Sequence, residues 1–563
     1  MSIVNNTEQQ TAMRWAIRSV CFFSVVFIIV TSWVNLNNTN ISALLMHQRS
    51  SDEAEFYFII TRMTKGFFDV DPSMFFRIGF YSYGFPYFFL NWLLTLPAQL
   101  LGRSDVVIFI MRLFSSLPVA GFIVLASWWV AKRTEDWRSP ILTALAILAL
   151  PELWTTAVWI HPDLLMCFCT LVVLVIADCS STLDRPRTLL MIGVLFAIAV
   201  STKLQAVVFF PAVAVLLIWP QGTEGWLAGG VRSTLMRVGR RLLLVGTTVV
   251  VAYPLLNPYL FHPLGRLYFM KSVSSNLFAN ATNNGTYIFP SLSEKIEMLG
   301  RTYYPFSLTI FIIAGIVISQ FLPGSNRTRK QVSALFLLSV PVCIYMLATI
   351  NKLWPHYYLL PFMGVAVMLM MAVGPLLRSA GGTVIAVALA AVIIFVRWQA
   401  PAAAINAVVD DSATIAHSHV LGQTLARLPR PVFVLSNGDV PIPFEQLGLK
   451  FYQIYEMAGI EITTKMATMP ALPDMVIFRK DDPEIIGNFS NSDVPKQAAH
   501  AWVTNVEAGL DRDYLRCAET EYEKILAYPV NADTHYMLGA PNRRSRVQRR
   551  SAPQPRPRSP AMI

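Results

Sequence analysis

Two acidic motifs and one lysine stand at the edges of apolar segments in this 563-residue sequence. Asp52-Glu53 follows the first apolar segment, His161-Pro162-Asp163 lies between two others, and Lys203 interrupts a pair of apolar runs. A carboxylate beside an acceptor hydroxyl can act as a general base, and a cation can stabilise negative charge that develops on a phosphate. These residue types suit a reaction on a phosphate-bearing lipid, with Asp163 orienting the acceptor or a cation and His161 donating to the substrate.

A later segment offers a cation, an imidazole and phenols at one helix start, in the order Lys352, His356, Tyr357 and Tyr358. Such a cluster can bind a phosphate leaving group. Together with Lys203, it makes His356 and Tyr357 the candidate phosphate-binding residues, and Lys352 joins them as a substrate-binding candidate. Arg112 is a further charged residue near the same edge of the apolar segments, and we expect it to contact substrate.

Each of these motifs also has an ordinary structural explanation, and the sequence leaves the choice open. Ser51 or Asp52 can cap the following helix, and His161-Pro162-Asp163 is a normal helix start. Lys203 can extend to the membrane surface, and the segment from Lys352 to Tyr358 can be part of an aromatic belt with polar ends.

The composition indicates an integral membrane protein. Hydrophobic residues make up 54% of the chain and charged residues only 14%, with a mean hydropathy of +0.49, whereas soluble proteins carry about 25% charged residues. The net charge of +11 does not require a nucleic acid partner, because basic residues gather in the cytoplasmic loops of membrane proteins.

The hydropathy pattern predicts a polytopic α-helical protein with about eleven transmembrane helices. Several of the predicted spans are shorter than the roughly 20 residues that a straight crossing needs, so their ends must extend into flanking residues. The predicted spans are residues 17–34, 106–131, 141–159, 164–177, 189–202, 204–219, 242–256, 306–321, 332–350, 357–377 and 384–396.

Basic residues fix the orientation. Arg14 and Arg18 precede the first span and place the N-terminus in the cytoplasm. Only one crossing can then lie between residues 52 and 132, so we interpret residues 85–101 as an interfacial or re-entrant helix rather than a true span. All the charged candidates then face the outer side. The loops expected in the cytoplasm are residues 132–138, 184–187, 232–241 and 327–330.

The same count of membrane crossings places the remaining segments of the chain on one side or the other. Residues 1–400 form the membrane domain, with two long outer loops at 35–105 and 257–304, and loops of that length are commonly functional. Residues 401–540 are predicted to form a small α/β domain on the outer side, and residues 541–563 a disordered tail rich in arginine and proline. The predicted elements of the α/β domain are helices at 402–428 and 444–457 and strands at 431–436 and 474–478.

The order of these motifs resembles the GT-C superfamily of polyprenyl-phosphate-dependent glycosyltransferases, in particular the protein O-mannosyltransferases and the lipid A aminoarabinose transferase. Asp52-Glu53-Ala54 is similar to the acidic motif of the first outer loop in that family, and Asp163 to the aspartate after the next pair of spans. The other matching motifs are Thr202-Lys203, Asn257-Pro258 and His356-Tyr357 with Pro361. The family's usual His-Pro-Pro is replaced here by Tyr83-Gly84-Phe85-Pro86-Tyr87.

The resemblance implies an integral membrane glycosyltransferase of hexosyl or pentosyl type. It implies an inverting transfer from an undecaprenyl- or dolichyl-phosphate-linked sugar to a hydroxyl on a lipid, glycan or protein, with Asp52 as the base and Glu53 as the alternate. Asn257 would contact substrate. No cofactor is certain, and a divalent cation, if present, would be bound by Asp52 and Asp163. We expect the bacterial inner membrane, with the active site facing the periplasm.

Two other classes of protein compete with this interpretation. A transporter or lipid flippase also uses intramembrane charges, but it would place them near the midplane and show paired internal repeats. A membrane-anchored assembly protein would carry its function in the C-terminal domain, for which eleven spans are excessive.

Overall fold

The computed structural model describes residues 2–37, 39, 51–219, 230–283, 289–305, 326–379, 381–397 and 402, together with five strands between residues 433 and 541. The chain divides into two compact units. The first comprises residues 1–44, 49–283 and 289–409, and the second comprises residues 45–48, 284–288 and 410–563.

In its described residues, the first unit consists of helices joined by short non-helical connections. Short 3-10 helices at Leu204–Phe209, Pro258–Phe261 and Pro355–Tyr358 join some of its α-helices. The α-helices are α1 (Ser2–Leu36), α2 (Ser51–Phe68), α3 (Pro72–Phe76), α4 (Phe85–Leu100), α5 (Ser104–Thr134), α6 (Arg138–Leu148), α7 (Pro151–Ala157), α8 (Asp163–Cys179), α9 (Pro186–Thr202), α10 (Phe210–Ile218), α11 (Gly230–Leu256), α12 (Pro263–Thr282), α13 (Leu292–Thr302), α14 (Asn326–Thr349), α15 (Leu359–Leu377) and α16 (Gly382–Arg397).

Four of the helical segments are long and apolar enough to cross a bilayer: Glu8–Leu36, Ser104–Thr134, Arg329–Thr349 and Pro355–Gly374. A fifth crossing is formed if α6 and α7, which are bent by 68° relative to each other, count as one broken span. These helices make the chain an integral membrane protein. The predicted total of eleven spans stays a prediction, and the predicted span at residues 306–321 lies outside the described residues.

Proline interrupts two segments that the sequence predicts as continuous spans. The predicted span 141–159 is divided between α6 and α7, with Pro151 at the first position of α7. The predicted span 204–219 begins as a 3-10 helix and becomes the α-helix α10 near Pro211. Proline has no N–H to donate and favours the first turn of a helix, so each interruption coincides with a proline-initiated helix.

Two hydroxyl residues of the first span, α1, bond to the backbone of the same helix. Ser24 and Thr31 are buried and donate their hydroxyls to the carbonyls of Val20 and Phe27, four residues earlier, at 3.0 and 2.9 Å. Such bonds allow hydroxyl residues to lie inside a bilayer. The opposite side of α1 presents exposed apolar side chains suited to lipid, namely Trp15, Phe22, Val25, Ile29 and Trp33.

The two long outer loops are largely helical. The first contains α2, α3 and α4, and the second contains α12 and α13 in its described part. Trp92 of α4 donates its indole N–H to Thr64 of α2 at 3.1 Å, and the Thr64 hydroxyl donates to Gln99 of α4 at 2.6 Å. Trp92 and Gln99 of α4 therefore pair with α2, while Leu90, Leu93 and Leu94 remain exposed on its other side.

A buried polar cluster joins α5, α8 and α14 at the ends that lie away from residues 52, 163 and 203. Asp178 accepts hydrogen bonds from Trp129 and Arg133, each at 2.7 Å, and from Gln331 at 3.1 Å. Lys330 lies 4.0 Å from the same carboxylate. The cluster ties three helices together at the side that the basic loops predict to be cytoplasmic.

The second unit contains a five-stranded sheet in the order β2-β1-β3-β5-β4. The strands are β1 (Phe433–Asn437), β2 (Lys450–Ile454), β3 (Met475–Arg479), β4 (Tyr522–Asn531) and β5 (Thr534–Pro541). β1 pairs in parallel with β2 and β3, whereas β5 pairs antiparallel with β3 and β4. The strands predicted at 431–436 and 474–478 correspond to β1 and β3.

One sequence prediction in this unit is wrong. Residues 444–457 were expected to be helical, but residues 450–454 form β2 and pair with all five residues of β1. The segment Lys-Phe-Tyr-Gln-Ile has two aromatic residues and one β-branched residue, types that favour strands. The predicted helix at 402–428 lies outside the described residues beyond residue 402, and the predicted tail lies outside them after Pro541.

Candidate active site

Asp52 lies in the first turn of α2, where the unpaired amides of a helix favour a carboxylate. Its side chain remains 25% exposed. Tyr83 donates its hydroxyl to Asp52 Oδ2 at 3.2 Å, and His161 Nε2 lies 3.8 Å from the same oxygen. One turn later, the fully buried Phe56 packs against the rings of Tyr83 and His161. Among the described residues, Tyr83 and His161 thus hold Asp52 against the Phe56 ring.

A chain of charged groups continues from His161 into the protein. His161 Nδ1 lies 2.9 Å from Asp163 Oδ2, and Lys203 Nζ donates to the other oxygen, Asp163 Oδ1. All three side chains are buried. The structure therefore brings together Asp52, His161, Asp163 and Lys203, which the sequence places as much as 151 residues apart.

The backbone around His161 is fixed to α5. The His161 N–H donates to Ser115 Oγ at 3.1 Å, and Ser116 Oγ donates to the carbonyl of Ala157 at 2.7 Å. α7 ends at Ala157 and α8 starts at Asp163, so the connecting residues run across two adjacent hydroxyls of one helix. This contact determines where His161 and Asp163 point.

Lys203 follows the last residue of α9 and is oriented by the first outer loop. The N–H of the next residue, Leu204, donates to the carbonyl of Ser82 at 3.0 Å. The Lys203 ammonium lies 4.5 Å from the ring centroid of Tyr357 and 5.5 Å from that of Tyr83. Its charge is therefore directed between two aromatic rings and one carboxylate, not to the membrane surface.

His356 and Tyr357 lie in the 3-10 helix Pro355–Tyr358, just before α15. The His356 ring is 5.0 Å from the His161 ring and 4.7 Å from the Tyr357 ring, measured between centroids. Tyr303 of the second outer loop donates its hydroxyl to the carbonyl of Pro355. His356 and Tyr357 thereby line the same site as Asp52 and Lys203.

Lys352 is buried beside this helix. Its ammonium lies 3.8 Å from the ring centroid of Trp354, whose ring in turn stacks on His356 at 5.7 Å. Lys352 is therefore separated from the Asp163 carboxylate by two rings.

Asn257 connects three elements of the site. Its Oδ1 accepts from the Phe85 N–H at 3.0 Å, and its Nδ2 donates to Ser201 Oγ at 2.9 Å and to the Tyr253 carbonyl at 2.8 Å. Asn257 is completely buried. It was predicted to contact substrate, and the structure instead places it between the first outer loop, α9 and α11.

Glu53 and Arg112 form a buried ion pair. Arg112 Nε and Nη2 donate to the two oxygens of Glu53 at 3.1 and 3.0 Å, and the Ile160 N–H donates to Glu53 Oε1 at 2.7 Å. Only 1% of Glu53 is exposed. A buried carboxylate that is engaged by three donors cannot reach an acceptor hydroxyl, so Asp52 is the member of the acidic pair that is available for chemistry.

The charges of Asp52 and His161 favour each other. Burial opposes the ionised form of Asp52, but the His161 imidazole and the Tyr83 hydroxyl lower the pKa of that carboxyl below its ordinary value. Burial likewise opposes the cationic form of His161, yet the Asp163 and Asp52 carboxylates raise the pKa of its imidazole. Asp52 is consequently ionised at neutral pH, as a general base must be.

Potential metal ligands occur in the same place. Among the described residues, His161, Asp163 and His356 offer ligand atoms that all lie within 4.8 Å of one another. Asp52 and Asp163, which the sequence suggested as the metal ligands, are separated by the His161 ring.

The site also includes Tyr83, which the sequence interpretation did not select. Its hydroxyl contacts Asp52 and its ring faces Lys203. The first outer loop is so rich in aromatic residues that Tyr83 is indistinguishable from an interfacial anchor by residue type alone. The only available signal was its place in the segment that stands where the GT-C family has His-Pro-Pro.

No family model matches the sequence, and no curated protein matches it. Two solved structures of ArnT from Cupriavidus metallidurans align with it, each covering 91% of this chain and 97% of that chain. The structure bound to undecaprenyl phosphate gives a TM-score of 0.49 at 13% identity, and the apo structure gives 0.32 at 14% identity. TM-scores below 0.5 do not establish a shared fold, so the functional assignment depends on the site itself.

Proposed function

We propose that this protein is a membrane glycosyltransferase that moves a sugar from a polyprenyl-phosphate carrier to an acceptor hydroxyl. The observation that carries the proposal is that a partly exposed carboxylate, Asp52, shares one site with the buried Lys203 ammonium and the half-buried His356 imidazole. A base and a phosphate-stabilising group must lie on opposite sides of the reacting carbon but within one site, and this set provides both.

The reaction follows from these roles. Asp52 accepts the proton of the acceptor hydroxyl as its oxygen attacks the anomeric carbon. The bond between that carbon and the phosphate oxygen breaks, and the polyprenyl phosphate leaves with the bonding electrons. Lys203 and His356, with the Tyr357 hydroxyl, stabilise the negative charge that develops on the leaving phosphate. Attack opposite to the leaving group inverts the anomeric configuration.

Two features support a lipid-linked donor over a nucleotide sugar. The site is formed where apolar helices α8, α9 and α15 begin or end, next to exposed apolar surface. The outer loops supply exposed apolar helices, α4 and α12, beside it. We assign the site to the periplasmic side of a bacterial inner membrane, following the basic loops.

The test is the Asp52→Asn variant in proteoliposomes with a radiolabelled undecaprenyl-phosphate-linked hexose or pentose. Loss of a general base lowers turnover by about 100-fold to 10,000-fold, and the isosteric amide preserves packing. Asp105→Asn is the matched control, because Asp105 is an exposed carboxylate at the start of α5 that pairs only with Arg103 among the described residues. Transfer at the wild-type rate by Asp52→Asn would exclude Asp52 as the base.

A further inference from the structure

We infer that a groove between the beginning of α1 and the end of α5 binds one phospholipid with a primary-amine headgroup, phosphatidylethanolamine. The groove holds a cavity of about 360 Å³ at the ends of two helices that are long and apolar enough to cross a bilayer. It lies on the side that the basic residues assign to the cytoplasm. The inference requires only that the chain spans a membrane, and it is independent of the proposed transfer reaction.

Both walls of the groove change from apolar to polar in the same direction. From the bilayer outward, the lining side chains include Ile17, Met13 and Gln9 on α1 and Trp128, Lys132 and Glu135 on α5. At 1.5 Å per residue, Lys132 lies about 6 Å beyond Trp128 along the helix, and Glu135 lies about 4.5 Å beyond Lys132. A phospholipid has its groups in the matching order, with the acyl chains first, then the phosphate, then the headgroup amine.

The phosphate would be bound by Lys132. Its ammonium lies over the Trp128 indole, 4.9 Å from the ring centroid, and in the described part of the chain it pairs with no carboxylate. Tryptophan and lysine are typical of the membrane interface, where the indole packs beside the glycerol region and the ammonium extends to the headgroups. The positive charge of Lys132 is therefore held at the depth of the lipid phosphates.

The amine would be bound by Glu135, which follows the last residue of α5. Gln9 donates its amide to the Glu135 carbonyl at 2.8 Å and so joins the two walls at the outer rim. The Glu135 carboxylate lies 3.7 Å from Arg378, but the two side chains are 71% and 47% exposed, and so exposed a pair is weak. The end of a helix carries partial negative charge, which also favours an ammonium group.

The headgroup is selected by this combination of charges. Phosphatidylglycerol has the phosphate but no cation for Glu135. Phosphatidylcholine has a cation, but its nitrogen carries three methyl groups and donates no hydrogen bond. Only the ethanolamine headgroup both presents a phosphate to Lys132 and donates N–H groups to the Glu135 carboxylate.

Native mass spectrometry of the delipidated full-length protein measures which lipid is retained. With equimolar phosphatidylethanolamine, phosphatidylglycerol and phosphatidylcholine of identical acyl chains, we expect one phosphatidylethanolamine per chain. Glu135→Gln should lower its retention about tenfold and leave that of phosphatidylglycerol unchanged, whereas Lys132→Met should lower the retention of both. Glu297→Gln and Lys65→Met are the matched controls, because both replace exposed charges on the outer loops.

Thermal unfolding provides a second measurement on the same proteins. Phosphatidylethanolamine should raise the Tm of the wild type and both controls, as a ligand of the native state does, and should not raise that of Glu135→Gln. All four replaced side chains are exposed, so we expect equal Tm values without lipid. Equal retention of the three lipids by the wild type, or undiminished phosphatidylethanolamine retention by Glu135→Gln, would overturn the inference. Neither result affects the proposed transfer reaction, which Asp52→Asn tests separately.

Discussion

At the scale of single residues, adjacent carboxylates have opposite environments. Asp52 and Glu53 are neighbours in the first turn of α2, so their side chains point in directions about 100° apart around the helix axis. Asp52 faces Tyr83 and His161 and keeps contact with solvent, whereas Glu53 is sealed against Arg112. The acidic motif therefore combines one chemical and one structural role.

The structural role of Glu53 can be measured by a double-mutant cycle. Glu53→Gln removes the carboxylate that two nitrogens of the buried Arg112 guanidinium contact. Breaking a buried ion pair costs about 3–5 kcal/mol, so we expect a clearly lower Tm in detergent. The double variant Glu53→Gln with Arg112→Met removes both charges and should lose less stability than the two single variants combined. Thermal unfolding measures all four proteins.

Additive losses of stability in that cycle would show that the two side chains do not interact. Asp52→Asn serves as the comparison, since its carboxylate is 25% exposed and contacts neutral or titratable partners. Its Tm should remain near that of the wild type even though its transfer activity is lost.

At the scale of elements, the site depends on how closely the first outer loop approaches α9. The Leu204 N–H and the Asn257 amide bind the loop through its backbone at Ser82 and Phe85. Between these two contacts lies Gly84, where a Cβ atom would stand 1.7 Å from the Ser201 carbonyl oxygen. No side chain can occupy that space, so only glycine permits the approach.

Gly84→Ala should accordingly displace the loop and with it Tyr83. Because Tyr83 contacts both Asp52 and Lys203, we expect turnover to fall by about 100-fold, the effect of a misplacement of 1 Å, together with a lower Tm. Gly246→Ala is the matched control: Gly246 lies inside α11, and an added methyl group there would have no described atom of another segment within 4 Å. A helical Gly→Ala change at that position should be neutral or slightly stabilising.

Wild-type activity in Gly84→Ala would mean that the loop does not position the base.

The same loop explains a difference between expectation and structure for Asn257. An asparagine next to a proline at the start of an outer loop looks available for substrate, but here all of its polar atoms are used to hold the loop on α9 and α11.

At the scale of the whole molecule, charged side chains gather at two opposite ends of the membrane-domain helices. Asp163 is the first residue of α8 and Asp178 the last but one, and the two carboxylates belong to separate clusters. The Asp163 cluster carries the proposed chemistry. The Asp178 cluster, with Arg133 and Lys330, joins three helices near the basic loops that orient the protein.

Cysteine labelling tests the orientation and the path of α4. In a background without native cysteines, Ser73→Cys, Arg103→Cys and Glu135→Cys each introduce one exposed thiol. If α4 does not cross the membrane, a membrane-impermeant maleimide added to spheroplasts should label positions 73 and 103 but not 135. Labelling of all three after lysis is the control. Protection of position 103 with labelling of 73 would show that α4 crosses.

The sequence by itself determined the helical membrane character, the positions of most helices, and the acidic and basic motifs. Those features follow from local properties: apolar length, proline positions and the cost of a charge in lipid. The sequence also located two strands of the sheet. It indicated a helix for the residues of β2, because a short segment with apolar residues fits both the helical and the strand periodicity.

Only the tertiary structure decided what each charge does. The sequence does not distinguish the roles of Asp52 and Glu53, nor those of Asn257 and Lys203. Their roles differ because of partners that lie 31 to 172 residues away. The role of Tyr83, which the sequence interpretation did not select, is likewise set by a distant partner, Asp52. Burial and the direction of a side chain are set by packing between distant segments, and the local pattern that predicts a helix contains no information about them.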